Sequence, residues 1–274
     1  MSFSWAAAGL LLAVAAAVVV VTFAVTLLVA RAVGKHSVVD VTWGLGFVLI
    51  AVAAYLTSGA LGVGNPTVRL VALLLPVIWG LRLAVYIGWR NRGKGEDPRY
   101  TAMLGDDQPA GAITWTVVRK VYLTQAGVML VVALPVLAAM VRASTVPAVL
   151  VVGGVVWLVG IVFESVGDAQ LARFKADPDN RGKVLDSGLW RWTRHPNYFG
   201  DFCVWWGIFV VAAGHPAALV SVVGPLLMSY LLIGVTGKEL TEKSMSGRPG
   251  YDDYVRRTSG FFPLPPDTAP ARAT

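Results

Sequence analysis

The stretch from residue 188 to residue 201 combines basic, aromatic and amide side chains with one proline. Pro196 is predicted at the first turn of a helix, where the missing N–H of proline costs nothing. The free amides and positive dipole end of that helix would lie beside Arg191, Arg194 and His195, and this arrangement suits a phosphate group. The alternative is a basic anchor at the membrane surface, with the two tryptophans of the stretch in an aromatic belt.

Acidic and amide side chains recur at helical spacing in two hydrophobic segments. Asn197 and Asp201 are four residues apart and are predicted to share one helix face. Glu164 and Asp168 repeat this spacing in the preceding hydrophobic segment. Acidic side chains at membrane depth cost a few kcal/mol unless they are paired or hydrated, so their presence predicts a functional site. The alternative is an internal salt bridge to a neighbouring arginine.

A loop-like segment from residue 89 to residue 100 reads WRNRGKGEDPRY. Gly93 and Gly95 would let the backbone approach a ligand closely, and the surrounding bases could hold phosphate oxygens. A solvated loop on the cytoplasmic side is equally compatible with this pattern.

Two residues in the hydrophobic segments are candidates for general acid work. Asp40 opens one segment, and Tyr86 lies four residues after Arg82 in another. A buried carboxylic acid or tyrosine hydroxyl could donate a proton to a substrate oxygen. Tyr86 could equally be a core residue whose hydroxyl has one hydrogen-bond partner.

Several familiar chemistries are excluded by the motifs. The run Gly234–Lys238 has the wrong spacing for a phosphate loop, and no dinucleotide-binding glycine motif follows a predicted strand. His215 is predicted at the opposite membrane face from His36 and His195, so no metal site is predicted. The single Cys203 excludes an internal disulfide.

The composition favours a membrane protein, because 56% of the residues are hydrophobic and only 14% are charged. A spanning helix needs roughly 20 mainly apolar residues. The candidate spans are Trp5 to Ala30, Val38 to Leu56, Leu70 to Trp89, Val121 to Val141, Val146 to Leu171, Tyr198 to Ala213 and Ala217 to Gly237. The sequence therefore predicts an all-α polytopic bundle of about seven transmembrane helices, of which the sixth is the shortest.

Charge distribution predicts the orientation of this bundle. If the N-terminus starts outside, 20 of the 23 Lys and Arg residues fall in cytoplasmic segments, as the positive-inside rule requires. The C-terminus is then cytoplasmic. The net charge of +7 is spread over short loops, so no nucleic-acid partner is predicted and the lipid bilayer is the expected environment. Residues 1–262 are predicted to form one domain, and the Pro-rich residues 263–274 a flexible tail.

Together these motifs resemble the steroid 5-alpha-reductase family, in particular its bacterial branch of membrane proteins with unassigned substrates. The matching motifs are Asp40 to Gly44, Asn91 to Tyr100, Asp168, Leu189 to Asp201, and Gly250 to Ser259 before Phe262 and Pro263. The resemblance implies a seven-helix bundle that binds NADPH from the cytoplasmic side. It further implies reduction of a C=C bond conjugated to a carbonyl in an apolar, lipid-soluble substrate of steroid or isoprenoid type.

The resemblance also implies which residues contact the cofactor. They are Asn91, Arg92, Asp168, Arg194, His195, Asn197, Tyr198, Asp201, Tyr251 and Tyr254. The acid of the family stands on the second helix in a Gln-Glu-Leu-Pro element that this sequence lacks. Asp40 and Tyr86 are therefore predicted as the catalytic residues from the sequence alone.

Two other functions stay open. The Arg-His-Pro-x-Tyr signature and the tyrosine-containing tail are similar to those of isoprenylcysteine carboxyl methyltransferases, which would bind S-adenosylmethionine at the same surface. A small ion-coupled transporter would use Arg82, Glu164, Asp168 and Asp201 as an ion path. The expected location is the bacterial inner membrane.

Overall fold

The computed structural model describes residues 3–105, 109–235 and 237–267 of the protein. Within these ranges every regular element is a helix, and the only β pairing is an isolated bridge between Phe3 and Arg142. The prediction of an all-α fold is confirmed.

The helices of the described residues fall into an early and a late group. The early group is α1 (Trp5–Val33), α2 (Val39–Ala60), α3 (Pro66–Asn91), α4 (Pro98–Leu104), α5 (Trp115–Val117), α6 (Thr124–Val132) and α7 (Leu134–Met140). The late group is α8 (Pro147–Ala176), α9 (Pro196–Ala212), α10 (Val223–Tyr230), α11 (Lys238–Met245) and α12 (Tyr251–Arg257). The π-helical segments Val118–Leu123 and Leu231–Val235 follow α5 and α10.

Six helical stretches of the described chain are long and apolar enough to cross a membrane: Trp5–Val33, His36–Ala60, Pro66–Asn91, Trp115–Met140, Pro147–Ala176 and Pro216–Met245. They indicate a multi-pass integral membrane protein, and each overlaps one predicted span. The remaining predicted span, Tyr198 to Ala213, corresponds to α9. The 17 residues of α9 fall short of the roughly 20 that a spanning helix needs.

Proline fixes the start of several long helices. Pro66, Pro147 and Pro196 are the first residues of α3, α8 and α9, positions where the missing N–H has no helical acceptor to lose. The start of α3 is also capped, because the Asn65 Oδ1 atom accepts hydrogen bonds from two backbone N–H groups of its first turn. The predicted helix start at Pro196 is confirmed.

One compact unit comprises Met1–Val152 and Ile208–Gly224. Helix α2 packs against both α1 and α3 in this unit. The α2 and α3 backbones approach closely at Gly44 and Gly80, since a Cβ atom at Gly44 would overlap the Gly80 carbonyl. Next to this crossing, the rings of Phe47 and Trp79 lie 5.7 Å apart and are fully buried.

A second compact unit comprises Gly153–Gly207 and Pro225–Thr274. In this unit α8 and α9 also meet through glycines, because a Cβ atom at Gly160 would lie 2.6 Å from the Gly200 carbonyl oxygen. Glu164 and Asp168 follow on α8 and are both buried. After α12, residues 263–267 carry no helix, and the rest of the predicted tail lies outside the described residues. The predicted single domain 1–262 stays a prediction.

Candidate functional site

The connection between α8 and α9 is anchored on α8. Gly188 has a φ of +61°, a conformation that favours glycine, and a Cβ atom there would overlap the Gln170 side chain. The Gln170 Oε1 atom accepts a hydrogen bond of 3.0 Å from the Leu189 N–H. The indole N–H of Trp190 donates to the Gly167 carbonyl at 3.0 Å. Side chains of α8 thus fix the chain that leads to Pro196.

The C-terminal segment after α11 docks on this same connection. The Tyr254 hydroxyl donates to the Trp190 carbonyl at 2.6 Å, and the Thr193 hydroxyl donates to the Phe261 carbonyl at 2.8 Å. Burial raises the pKa of Tyr254, so its hydroxyl stays protonated. Tyr254 was predicted as a cofactor contact. In the structure its hydroxyl holds the C-terminal segment against the connection between α8 and α9.

Glu242 on α11 is the centre of a charged cluster. Its carboxylate accepts hydrogen bonds from Arg194 at 2.9 Å and from His195 Nε2 at 3.1 Å, and Lys238 lies 3.5 Å away. Arg194 also donates to the carbonyls of Val255 at 3.0 Å and Thr258 at 2.6 Å. Its side chain is only 10% exposed. One arginine therefore joins the start of α9 to α11 and to the C-terminal segment.

His195 is neutral in this environment. Its side chain is 3% exposed, and burial lowers its pKa to about 4 although the hydrogen bond and charge of Glu242 act to raise it. Its ring stacks on Tyr198 with the centroids 5.4 Å apart. Because desolvation disfavours the imidazolium, His195 adds no positive charge beside the α9 N-terminus.

An amide residue of α9 meets an acidic residue of α8, a contact that the helical spacing alone did not predict. Asn197 donates a side-chain hydrogen bond of 3.3 Å to the Asp168 carboxylate. The Tyr198 hydroxyl lies 3.2 Å from the Thr241 hydroxyl. Asp201 lies one turn beyond Asn197 on α9. This row of polar groups extends inward from the Arg194 cluster along the contact between the two helices.

A cavity of about 690 Å³ opens beside the cluster, a size typical of small-molecule sites. The end of α8, the chain that follows it, α11 and α12 form its wall. The charged side chains of the wall are Lys175, Asp177, Arg181, Lys183, Arg194 and Arg248. Five of these six carry a positive charge, so the cavity suits an anionic ligand.

Four of the predicted cofactor contacts line this cavity: Arg194, His195, Tyr251 and Tyr254. Asp168, Asn197, Tyr198 and Asp201 lie on α8 and α9 and are not part of its wall. The basic residues of the wall other than Arg194 were not predicted as site residues. Isolated Lys and Arg residues after a hydrophobic span indicate the orientation of the protein in the membrane as readily as they indicate a ligand site. The Lys238 and Glu242 pair, four residues apart, was a sequence signal for the cluster.

The remaining predicted residues belong to the first compact unit. Asn91 ends α3 and Arg92 is its C-cap residue. Asp40 at the start of α2 accepts hydrogen bonds from the Tyr100 hydroxyl at 2.6 Å and from Arg99 at 2.7 Å. Burial and the Asp40 charge raise the pKa of Tyr100. Asp40 therefore ties the segment that follows Asn91 to α2.

Tyr86 lies on α3 between two arginines. The guanidinium carbons of Arg82 and Arg90 are 5.3 and 5.8 Å from the centroid of its ring, within the range of cation–π interaction. The tyrosine is half-buried. Among the described residues, no group of three or more His, Cys, Asp or Glu side chains is placed to hold a metal ion.

Helices of membrane-spanning length indicate a multi-pass membrane protein, and α8, α11 and α12 contribute to a cavity whose charged side chains are mostly basic. The chain belongs to the family described as "Protein of unknown function (DUF1295)", whose model matches residues 26–258. That family belongs to the steroid 5-alpha-reductase-like group, in agreement with the resemblance of the motifs.

A curated relative is the probable O-methyltransferase ustE of Ustilaginoidea virens, which is 37% identical over 65 residues. The match covers 24% of this chain and 22% of that relative, so the two proteins share a segment and not their full lengths. No solved structure matches the chain.

Proposed function

We propose that the protein is a membrane-embedded, NADPH-dependent reductase of a C=C bond conjugated to a carbonyl in an apolar, lipid-soluble substrate of steroid or isoprenoid type. The observation that carries the proposal is the charge of the cavity wall, where five of six charged side chains are basic. NADPH has a diphosphate and a 2′-phosphate, and arginine side chains bind phosphate oxygens through two parallel N–H groups. A cavity of about 690 Å³ has room for a ligand of this class.

Residues of the second unit would hold the cofactor. Arg181, Lys183 and Arg248 are the proposed phosphate contacts, while Glu242 fixes the direction of the Arg194 guanidinium. The proposal extends to the row Asp168, Asn197, Tyr198 and Asp201 and to Asn91 and Arg92, as the family resemblance implies. When bound, NADPH would supply a hydride to the β-carbon of the substrate.

The catalytic acid in the proposal is Tyr86 or Asp40. Either residue would donate a hydrogen bond or a proton to the substrate carbonyl oxygen. Asp40 already accepts hydrogen bonds from Arg99 and Tyr100, one on each carboxyl oxygen. Tyr86, with its half-buried ring on a spanning helix, is the better proton donor of the two.

The proposal includes the topology that the charges predict. Helix α9 would be the short sixth of seven spans, the N-terminus would lie outside, and the C-terminus with the basic cavity would face the cytoplasm. Cytoplasmic NADPH would then have direct access to the cavity. The bacterial inner membrane is the proposed location.

A membrane methyltransferase is the second candidate, favoured by the shared segment with a probable O-methyltransferase. Its cofactor would be S-adenosylmethionine, which carries a sulfonium cation and no phosphate. A cavity wall with a single carboxylate, Asp177, among its charged side chains offers little to neutralise that cation. The charge of the wall therefore favours NADPH.

The decisive measurement is equilibrium binding of NADPH, NADH and S-adenosylmethionine to detergent-purified protein. We expect NADPH to bind about tenfold more tightly than NADH, and Arg248→Met to weaken NADPH binding about tenfold, as loss of one charge-assisted contact predicts. The matched control is Arg256→Met, because Arg256 is paired with Asp253 at 2.6 Å and does not line the cavity.

Other outcomes of this measurement are equally informative. Tight S-adenosylmethionine binding without NADPH binding would select the methyltransferase. Binding of neither compound would contradict both enzyme functions. If NADPH binds and Asn197→Ala leaves its affinity unchanged, the proposed extension of the site along α8 and α9 is wrong.

A further inference from the structure

The side chain of Arg142 is buried in the first compact unit, without a hydrogen-bond partner among the described residues. Its side chain is 0% exposed and is among the largest fully buried side chains of the described residues. The atoms Nε, Nη1 and Nη2 are all buried, and none of them has a hydrogen-bond partner in the described part of the chain. An unpaired charge in a protein interior is strongly destabilising. The arginine therefore needs an anion.

The backbone around Arg142 is firmly built. Its carbonyl accepts a hydrogen bond of 2.7 Å from the N–H of Asn65, the residue that caps α3. On the other side it pairs with Phe3 in the isolated β bridge. Arg142 thus joins three separate parts of the chain at the Pro66 end of α3.

The guanidinium of Arg142 lies against the turn at Gly214. A Cβ atom at Gly214 would overlap the Nη1 atom of Arg142, so a side chain at this position would displace the guanidinium. The next residue, His215, stacks on Phe3 with the ring centroids 5.5 Å apart. The Nδ1 atom of His215 accepts a hydrogen bond of 3.1 Å from Ala217 N–H, which fixes the ring at the start of the next helical turn.

The described residues of the first unit include no carboxylate at this end. Its described carboxylates are Asp40, Glu96 and Asp97, and all lie at the start of α2 or after Asn91. Each already accepts hydrogen bonds there. The 26 residues of α3 separate that end from Pro66 by about 39 Å at 1.5 Å per residue. The anion must therefore come from outside the described unit.

We infer that Arg142, together with the turn at Gly214 and His215, forms a binding site for a phosphate group at the Pro66 end of the first unit. The planar guanidinium offers two parallel N–H groups to two phosphate oxygens. Burial lowers the pKa of Arg142, yet a guanidinium is not deprotonated in proteins. An anionic ligand would therefore neutralise the charge of Arg142 and accept hydrogen bonds from its N–H groups.

The phosphate has two possible sources. The site lies just beyond α7, at the end of the stretch Trp115–Met140 that is long enough to span the membrane. At such a depth a phospholipid headgroup can supply the phosphate, and a free inorganic phosphate ion carries the same chemistry. The turn at Gly214 lies against the guanidinium, and either source reaches it by displacing that turn.

The first test is thermal unfolding of detergent-purified protein titrated with inorganic phosphate at constant ionic strength. We expect the wild-type Tm to rise by about 3 to 6 °C at about ten times Kd. Arg142→Met should abolish the part of the Tm increase that comes from phosphate binding at Arg142. Arg142→Lys should raise the half-saturating phosphate concentration about tenfold. Two outcomes would overturn the inference: no Tm shift in the wild type, or the full shift in Arg142→Met.

Two control variants separate this site from others. Arg69→Met removes an arginine of the same unit whose guanidinium donates to Ser58 Oγ at 2.9 Å and to Tyr55 O at 2.7 Å, so the phosphate response should persist. Arg248→Met removes a base of the NADPH cavity and should also leave the Arg142 component intact. Failure of NADPH to bind would therefore leave this inference standing.

A second measurement identifies the source and covers a variant that does not fold. Protein is extracted from vesicles of phosphatidylethanolamine and phosphatidylglycerol and its mass is measured under native conditions. A phospholipid retained by the wild type and by Arg69→Met but lost from Arg142→Lys or Gly214→Ala identifies the headgroup. A Tm response without retained lipid identifies free phosphate. Neither signal in the wild type would refute the site.

Discussion

The regions around Arg194 and Arg142 satisfy a largely buried guanidinium in opposite ways. Arg194 donates to the Glu242 carboxylate and to the carbonyls of Val255 and Thr258. Arg142 is more deeply buried, and none of its three side-chain nitrogens has a hydrogen-bond partner in the described chain. The first arginine is a structural element. The second has the properties of a binding residue.

The difference shows why burial alone does not identify a functional charge. A buried arginine with a complete set of partners contributes to the fold, and its removal leaves those partners unsatisfied. A buried arginine without partners destabilises the fold until a ligand arrives. Stability measured with and without a ligand therefore separates the two roles.

The largest expected effect comes from removing each arginine in turn. Arg194→Met should lower the free energy of unfolding by about 3 kcal/mol, because Glu242 and two carbonyls lose their donor. Arg142→Met in phosphate-free buffer should leave it unchanged or raise it by about 1 kcal/mol, because an unpaired buried charge is removed. Denaturant titration in micelles, followed by tryptophan fluorescence, measures both. Equal losses in the two variants would erase the contrast.

The pH dependence of stability tests the Arg194 region next. The pKa of His195 is about 4 in the folded protein against about 6.5 in the unfolded chain. The unfolded chain therefore takes up the proton first as the pH falls, and the contribution of His195 is complete above about pH 6.5 and is lost towards pH 4. Between pH 7 and pH 5 we expect a loss of about 2 kcal/mol.

The control for this experiment separates His195 from the charged groups that face it, which are Glu242, Arg194 and Lys238. His195→Gln should flatten the dependence between pH 7 and pH 5. An unchanged slope in His195→Gln would show that His195 is not the source of the pH dependence.

The smallest effect concerns the tail that covers the Arg194 region. Tyr254→Phe removes the hydrogen bond to the Trp190 carbonyl and should cost about 1 kcal/mol. Tyr230→Phe is the matched control, because Tyr230 is 64% exposed and the change should be neutral. Both are read from the same denaturant titrations. A neutral Tyr254→Phe would mean that the tail docks through its backbone contacts alone.

Most of the helical architecture followed from the sequence. The predicted spans from Trp5 to Leu171 and the one from Ala217 each lie on an apolar helix of sufficient length. The start of α9 at Pro196 was also predicted, because proline has a fixed φ that suits the first turn of a helix and its missing N–H breaks no helical hydrogen bond there. The predicted span from Tyr198 to Ala213 is the exception, because the 17 residues of α9 are near the minimum length for crossing a bilayer.

The candidate site was only partly readable. Spacing placed Asn197 and Asp201 on one helix face, but it gave no indication that Asn197 contacts Asp168. That contact depends on how α8 and α9 pack through their glycines. Spacing gave no indication that His195 is neutral. That outcome depends on desolvation, which requires knowing what covers the ring.

The sequence by itself determined the all-α membrane architecture, because an apolar stretch of roughly 20 residues satisfies its backbone in lipid only as a helix. Only the tertiary structure decided which charges are paired. Arg194 meets Glu242 across 48 residues, and Tyr254 meets Trp190 across 64, distances over which no periodicity links two positions. For the same reason, only the fold revealed that the side chain of Arg142 is buried and has no hydrogen-bond partner among the described residues.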